Sequence, residues 1–347
     1  MTGPRRPAWL HVPRSRRARA LVVLVLLAVT LGLVFWRVDL EVIEDAFRFV
    51  AWEWVVAAVL ANLLSIIFRS VAWEVVVKQA TTPPGPGQRN VFAAFCVGLL
   101  GNAALPGRVG EIARVIVLNR RMSKRSGTWA TLLGTVFAHR LFDVVVASVL
   151  VVYVVYAAQI PDWARPALAI ALGIGIGLLV AALLVARRQN RTGIQELGPV
   201  RRMLRMARYG LAVLNRPAPA IAALSLQTLA WIAQLVAVYV TMKAFNIDVP
   251  FEAAAVVLVV MNLVVVFPLW PGNVGLLQAA VALSLLPYGV GYAHGFAYGI
   301  GLQAIEASVG VALGLVFLAR EGFSFAMLRR MPEVTDVQVD ERVERIA

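Results

Sequence analysis

Residues 102–121 read NAALPGRVGEIARVIVLNRR, an apolar stretch that is broken by a Pro-Gly pair and continues as a second, more polar segment. The pattern PGRVG at 106–110 recurs as PGNVG at 271–275. Proline cannot donate a backbone hydrogen bond and disfavours helical backbone in the residue before it, whereas glycine permits a turn with positive φ. Each copy therefore predicts that one helix ends and another begins at the Pro-Gly pair.

The segments on either side of each Pro-Gly pair are short for a membrane span, which needs about 20 apolar residues. The stretches 91–105 and 253–269 precede the two copies, and 109–119 and 274–286 follow them. Non-helical backbone at membrane depth is tolerated only where it is buried in protein or lines a wet cavity. The second helix of each pair would point free N–H groups into that cavity, which suits a phosphate or a carboxylate. Two helix-breaking turns at the protein surface are the alternative.

The composition indicates an integral membrane protein. Of 347 residues, 60% are hydrophobic and 15% are charged, whereas about 25% are charged in soluble domains. A mean hydropathy of +0.78 leaves too few polar side chains to cover a soluble surface. The net charge of +14 comes from bases clustered in short loops. Such clusters set the orientation of membrane helices and attract anionic lipids, so they do not indicate nucleic-acid binding. The single cysteine, Cys96, excludes a disulfide framework and a multi-cysteine zinc site.

The predicted fold class is an all-α polytopic membrane protein with about six full spans and two Pro-Gly-broken re-entrant helix pairs. The six spans are predicted at about 19–36, 52–77, 127–157, 167–186, 218–245 and 292–318. In the alternative, each broken pair forms two short tilted spans, which gives ten crossings with the same sidedness of the loops.

Basic loops predict the orientation, because cytoplasmic loops are rich in Lys and Arg. The segment 187–216 carries eight Arg and one Glu, and the run RRMSKR at 120–125 contains no acid. The opposite loops are acidic or mixed, as at 39–53. Both termini of this cell-membrane protein are therefore predicted to be cytoplasmic, with the first broken pair open to the cytoplasm and the second open to the outside.

The two Pro-Gly copies lie in equivalent surroundings between oppositely oriented spans, which predicts an inverted repeat of the kind found in transporters. Within a transmembrane domain at 19–320, repeat 1 covers about 52–157 and repeat 2 covers about 218–318. The predicted cytoplasmic parts are a basic N-terminus, a basic loop and a C-terminal tail, at 1–18, 187–217 and 321–347.

The first Pro-Gly copy is charged and the second is neutral. Arg108, Glu111 and Arg114 are spaced three residues apart, so they face one side of the helix start. The second copy offers Asn273 and Gln278 instead. We expect Arg108 and the helix N-terminus beside it to bind a lipid phosphate from the cytoplasmic side. An amphipathic helix whose charges meet water is the alternative.

Ionisable side chains inside the predicted spans are candidate functional residues, because charges are costly in hydrocarbon. These candidate intramembrane charges are Arg69, His139, Arg140, Asp143 and Glu306. Asp143 lies within helical reach of both Arg140 and His139, and a purely structural ion pair with Arg140 is the alternative role. Glu306 has no base nearby in the sequence, so it would pair with Arg69 or Arg140 or stay protonated.

One face of the fifth predicted span is polar, since Gln227, Trp231 and Gln234 share it at helical spacing. Interhelical hydrogen bonding is the expected role of these residues, and lining a cavity is the alternative.

Three segments resemble the transmembrane region of the lysylphosphatidylglycerol synthase/flippase family, the flippase half of the multiple peptide resistance factor. They are NAALPGRVGEIARVIVLNRR (102–121), LLGTVFAHRLFDVVV (132–146) and FPLWPGNVGLLQAAV (267–281). The resemblance covers most of the chain, from the second span to the last. It implies translocation of aminoacylated phosphatidylglycerol from the inner to the outer leaflet. The sequence shows no synthase domain, so we expect a separately encoded enzyme to make the substrate.

The resemblance assigns Arg140 and Asp143 to the family's paired charges and Pro268 to its second motif. Two positions of that second motif depart from the usual pattern: Asn273 replaces a glycine and Gln278 replaces a glutamate. The missing carboxylate removes a partner for a cationic headgroup. The candidate substrate-binding residues are Asn102, Pro106, Gly107, Arg108, Gly110, Glu111, Arg114, Pro271, Gly272, Asn273, Gly275 and Gln278.

The leading functional hypothesis is a flippase-like protein that translocates a phospholipid or lipid-linked headgroup between leaflets. A non-transporting partner that scaffolds a lipid- or glycan-modifying enzyme through its basic loops is the alternative. An intramembrane transferase with Glu111 and Asp143 as its acid and base is a third hypothesis. No ATP-binding loop or hydrolase motif occurs, so we expect no enzymatic activity, cofactor or metal. The expected partners are anionic phospholipids and a lipid-modifying enzyme. We expect no nucleic-acid partner, and the sequence is compatible with a homo-oligomer.

Overall fold

The computed structural model describes residues 40–81, 85–104, 109–122, 128–160, 164–187, 210–266 and 271–320. Within these ranges the chain forms ten α-helices and no strand. The helices are α1 (Leu40–Arg48), α2 (Trp52–Ala80), α3 (Gln88–Ala104), α4 (Gly110–Arg121), α5 (Thr128–Ala157), α6 (Ala164–Arg187), α7 (Pro217–Ala244), α8 (Phe251–Val266), α9 (Leu276–Leu285) and α10 (Tyr292–Arg320). The fold is the all-α membrane type that the sequence predicts.

Four of the six predicted spans are helices long and apolar enough to cross a membrane, namely α2, α5, α7 and α10. The fourth predicted span lies on α6, whose apolar part, Leu168–Leu184, is shorter. The first predicted span lies outside the described residues, as do the N-terminus, most of the basic loop and the C-terminal tail. The number of crossings therefore stays a prediction.

Each Pro-Gly pair separates two helices, as predicted. The first break lies between the end of α3 at Ala104 and the start of α4 at Gly110, and the second lies between α8 and α9. At the second break, Gly272 and Gly275 have φ of 68° and 88°, and Asn273 has φ of 46°. Glycine adopts this left-handed region at no steric cost and asparagine tolerates it, so the local sequence explains the turn.

Helices α3 and α4 form a tight antiparallel hairpin, which we call the first hairpin. Asn102 Oδ1 accepts a hydrogen bond from the Gly110 N–H at 3.0 Å near the break. At the outer ends of the hairpin, Arg121 Nη1 donates to Asn90 Oδ1 at 2.7 Å. Because the two outer ends meet, the hairpin enters and leaves at one end of the bundle, as it would both in a re-entrant pair and in a pair of short tilted spans.

Helices α2 and α7, the first long helices of the two repeats, pack antiparallel. The Ala51 N–H donates to the Ala244 carbonyl at 2.9 Å at one end, and Arg216 Nη1 donates to Gln79 Oε1 at 3.0 Å at the other. We call the end with Arg121, Arg216 and Gln79 the basic end. Since equivalent helices run in opposite directions, the two repeats are inverted relative to each other.

Several other helix contacts occur in equivalent pairs in the two repeats. In the first repeat α3 packs on α4 and α4 on α5, and in the second α8 packs on α9 and α9 on α10. Between the repeats, α3 packs on α10 and α5 packs on α8. This pattern is the predicted inverted repeat, with α8 and α9 as the second hairpin.

The second break contacts the first hairpin inside the bundle. Phe92 of α3 packs edge-on against Phe317, near the end of α10, with ring centroids 5.7 Å apart. Further along α3, Leu99 lies beside Gly310, so α3 runs inward from the basic end. The short turn Pro271–Asn273 of the second hairpin contacts α3. The second interruption therefore lies where the repeats join.

Cysteine accessibility should report this topology. After Cys96 is replaced by alanine, the single variants Arg89→Cys, Arg120→Cys and Arg216→Cys should react with an impermeant maleimide from one side of the membrane. The Asp248→Cys variant should react from the other side, because Asp248 follows α7 at the opposite end. Reaction of the Arg89 and Arg120 variants from different sides would show that the first hairpin crosses the membrane.

Candidate functional site

The carboxylate of Asp143, in α5, is held by donors from both repeats. It accepts hydrogen bonds from Arg69 Nη1 of α2 at 2.9 Å and from Arg140 Nη1 at 3.1 Å. On α7, Trp231 Nε1 donates to it at 2.9 Å and Gln227 donates through its amide nitrogen. Asp143 is only 8% exposed, so this carboxylate joins the two repeats in an interior where unpaired charge is costly.

Arg140 connects Asp143 to the first hairpin. Its Nη2 bonds Glu111 at the start of α4, and Glu111 in turn forms an ion pair with Arg114. The Arg114 guanidinium lies over the rings of Trp73 and Phe95, 4.7 and 5.5 Å from their centroids, an attractive cation–π arrangement. Arg114 is 3% exposed, so the alternative in which the α4 charges meet water is wrong for this residue.

A polar chain also leads from Asp143 to the last helix. Arg69 Nε donates to Ser65 Oγ at 3.4 Å, and Ser65 Oγ donates to Gln234 Oε1 at 3.2 Å. The amide nitrogen of Gln234 then donates to the Glu306 carboxylate. In the described part of the chain Glu306 forms no ion pair with Arg69 or Arg140, and Gln234 is the donor that its carboxylate meets.

His139 lies beside this chain of contacts without a hydrogen bond to Asp143. Its side chain is 1% exposed and packs edge-on against Phe95, with ring centroids 6.3 Å apart. Of the two bases within helical reach of Asp143, the carboxylate therefore bonds Arg140 and not His139. The donors on α2 and α7 draw the carboxylate away, while the imidazole faces α3.

The second hairpin is held by amide side chains. Gln278 Oε1 accepts from the Gly275 N–H at 2.7 Å, and its amide nitrogen donates to Gln303 of α10. Gln303 donates to the Gly272 carbonyl, and Asn273 Nδ2 donates to a carbonyl of α8 at 3.0 Å. These bonds satisfy backbone groups that the break leaves without helical partners.

The two hairpins thus differ in charge although they share a geometry. An ion pair, Arg140 to Glu111, joins the first hairpin to α5. An uncharged amide pair, Gln303 to Gln278, joins the second hairpin to α10. In the part of the chain that the structure describes, an ion pair therefore ties the first hairpin to its neighbouring long helix, where an amide pair does so in the second.

The predicted site residues fall into three groups. Asn102, Gly110, Pro271, Gly272, Asn273, Gly275 and Gln278 shape the two breaks; Glu111, Arg114, Arg69, Arg140, Asp143 and Glu306 are joined through the polar contacts, with His139 packed beside them; and Pro106, Gly107, Arg108 and Pro268 lie outside the described residues. The phosphate contact of Arg108 therefore stays a prediction. We call Glu111, Arg114, Arg140, Asp143, Arg69, Ser65, Gln234 and Glu306 the charge network.

The interhelical hydrogen bonds predicted for one face of α7 are present, and they are made by Gln227, Trp231 and Gln234. The sequence did not indicate that their partners are Asp143 and Glu306. Their spacing on α7 was the available signal. Ser65 and Gln303 carried no comparable signal, since single polar residues in a span are common.

The chain matches the model of one known protein family. The family model described as Lysylphosphatidylglycerol synthase TM region matches residues 18–314, a range that includes both breaks and the whole charge network. No curated protein matches the chain.

Proposed function

The chain belongs to the Lysylphosphatidylglycerol synthase TM region family of membrane proteins linked to lipid handling, and from this premise we propose that it translocates a phospholipid or lipid-linked headgroup between leaflets. The charge network is the observation that carries the proposal. Charged side chains inside a membrane domain are costly and mark substrate pathways in transporters. Here they surround the place where the first hairpin reaches α5.

Arg140 is the residue that we propose to contact the headgroup phosphate. Its side chain is 43% exposed, compared with 17% for Arg69 and 3% for Arg114. The guanidinium already binds two carboxylates, Glu111 and Asp143. A phosphate offers the same acceptor geometry to its planar fork. The phosphate would therefore replace one carboxylate contact rather than require a new site.

The Arg140→Ala variant should bind an anionic phospholipid about 10- to 100-fold more weakly. A charge-assisted hydrogen bond to a phosphate contributes about 1.5–3 kcal/mol, and each 1.4 kcal/mol is about tenfold in affinity. Titration of the detergent-purified protein with short-chain phosphatidylglycerol, followed by tryptophan fluorescence, measures this affinity. Arg140→Lys should recover only part of the affinity, because an ammonium group cannot form the two-pronged contact. Arg89→Ala, at the exposed outer end of α3, is the control and should bind normally.

Leaflet-resolved transport decides between the proposed function and the scaffold alternative. In protein-free vesicles a membrane-impermeant quencher should reach only the outer-leaflet part of a fluorescent phosphatidylglycerol, whereas in vesicles with the reconstituted protein it should also quench the label that starts in the inner leaflet. We also propose that a separate enzyme supplies the lipid and that this chain performs no chemistry on it. Lipid binding without any movement between leaflets would contradict translocation and favour the scaffold.

A further inference from the structure

Glu306 differs from the other carboxylates of the charge network. Glu111 pairs with Arg114 and Arg140, and Asp143 pairs with Arg69 and Arg140. Among the described residues the Glu306 carboxylate has one hydrogen-bond donor, the amide of Gln234, and no ion pair. A neutral amide can donate to a protonated or an ionised carboxyl group, although the bond to the ionised form is the stronger one. The partner of Glu306 therefore does not require it to be charged.

The charge balance of the network depends on this carboxyl group. Three arginines, Arg69, Arg114 and Arg140, face the two paired carboxylates of Glu111 and Asp143. With Glu306 ionised the network is neutral, and with Glu306 protonated it carries one positive charge. Uncompensated charge is disfavoured in a partly dry interior. An anion entering the network and a proton entering Glu306 therefore favour each other.

We propose that Glu306 is a proton-binding site coupled to the binding of an anionic headgroup at Arg140. A proton from water binds one Glu306 carboxylate oxygen when the headgroup phosphate binds, and it returns to water when the headgroup leaves. The two ligands would then be carried together, without adding net charge to the network. The identity of the anion rests on the proposed function, whereas the proton site rests on the surroundings of Glu306.

Few other ionisable groups face Glu306. Of the helices packed against α10, α2 contributes Arg69, and α7 contributes the amide of Gln234. Helix α9 carries no ionisable residue, and α3 carries Arg89 at its outer end and the buried Cys96 beside Gly314. On α10 itself, the Tyr298 hydroxyl donates to the Val238 carbonyl. The charged residues of α1 lie at the opposite end, and they are Glu41, Glu44, Asp45 and Arg48. His139, on α5, is the remaining buried group that could take a proton near the network.

Proton uptake on lipid binding tests the proposal directly. The full-length protein in weakly buffered detergent is mixed with short-chain phosphatidylglycerol, and a pH-indicator dye records the protons taken up. The wild-type protein should take up as much as one proton per bound lipid. Its lipid affinity should rise by up to about tenfold for each unit that the pH falls.

The variant Glu306→Gln imitates the protonated group. It should bind the lipid with no proton uptake, and its affinity should equal the low-pH value of the wild type at every pH. Glu74→Gln is the matched control, because Glu74 is also buried on a long helix but pairs with Lys78 at 2.8 Å, outside the network. This control should keep the proton uptake of the wild type.

A second variant keeps the test valid if Glu306→Gln does not fold. Gln234→Met removes the hydrogen-bond donor from Glu306, so the carboxylate loses a stabilising contact. The pH dependence of lipid binding should then move to higher pH. An unchanged pH dependence in this variant would overturn the proposal.

Three further outcomes would also overturn it. Lipid binding without proton uptake would remove the coupling and leave the proposed function intact. Proton uptake that persists in Glu306→Gln and disappears in His139→Asn would place the proton on the histidine. Absence of any phosphatidylglycerol binding by the wild type would contradict the proposed anionic substrate together with the coupling.

Discussion

Replacing Gly110 with alanine is expected to destabilise the first hairpin more than any other single methyl group added to it. A Cβ atom on Gly110 would overlap the Gly98 carbonyl oxygen and lie 2.5 Å from Asn102 Oδ1. The clash is with backbone and with the side chain that holds the Gly110 N–H, so neither neighbour can move cheaply. Overpacking of this kind costs about 3 kcal/mol, and we expect a loss of that size or more. Thermal unfolding of the purified protein, followed by tryptophan fluorescence, measures it.

Gly173→Ala is the control for this variant. Gly173 also lies within a helix, α6, but nothing lies within 4 Å of a Cβ added there. The alanine should be neutral or slightly stabilising because of its better helix propensity. Equal stability of Gly110→Ala and Gly173→Ala would show that the close contact between α3 and α4 does not exist.

The second large effect is expected for Asp143→Asn, which should abolish translocation and lower the melting temperature. The variant leaves Arg69 and Arg140 without the carboxylate that pairs with both. Removing one partner of a buried ion pair typically costs about 3–5 kcal/mol, because the other charge remains buried and unpaired. The new amide nitrogen also meets donors on α7 that previously found an acceptor. The leaflet-resolved vesicle assay and thermal unfolding measure the two effects.

Asp248→Asn is the control for Asp143→Asn, because it removes a carboxylate that lies outside the charge network. Asp248 pairs with Lys243 at 2.6 Å, but its side chain is 95% exposed. Exposed ion pairs contribute little to stability, since water screens them. The Asp248 variant should transport and unfold like the wild type. If Asp143→Asn does the same, the charge network is neither structural nor functional.

The helices and their breaks could be predicted because their causes are local. An apolar run must form a helix in lipid, since every backbone group needs an internal partner, and α2, α5, α7 and α10 follow the predicted runs closely. Both helix interruptions follow from proline and glycine at 106–107 and 271–272. The antiparallel packing of α2 on α7 also agrees with the prediction, because loop charges and the repeated motif together indicated inverted units.

The partners of individual charges could not be predicted in the same way. Glu306 was expected to pair with Arg69 or Arg140 or to stay protonated, and its carboxylate meets the amide of Gln234. His139 was expected within reach of Asp143 together with Arg140, and only Arg140 bonds the carboxylate, while the imidazole packs on Phe95. Spacing along one helix shows which side chains share a face. It does not show which neighbouring helix covers that face, or at what height.

The sequence by itself determined that the chain is a bundle of membrane helices, that two of its helical stretches are interrupted, and that the charged interruption belongs to the first repeat. These properties follow from hydropathy and from backbone restrictions that act within a few residues. Only the tertiary structure decided that Asp143 joins Arg69 and Arg140 to Gln227 and Trp231. Four donors from three helices meet on one carboxylate because the repeats pack antiparallel at one particular register. That register results from the summed packing of whole helices, which no short stretch of sequence contains.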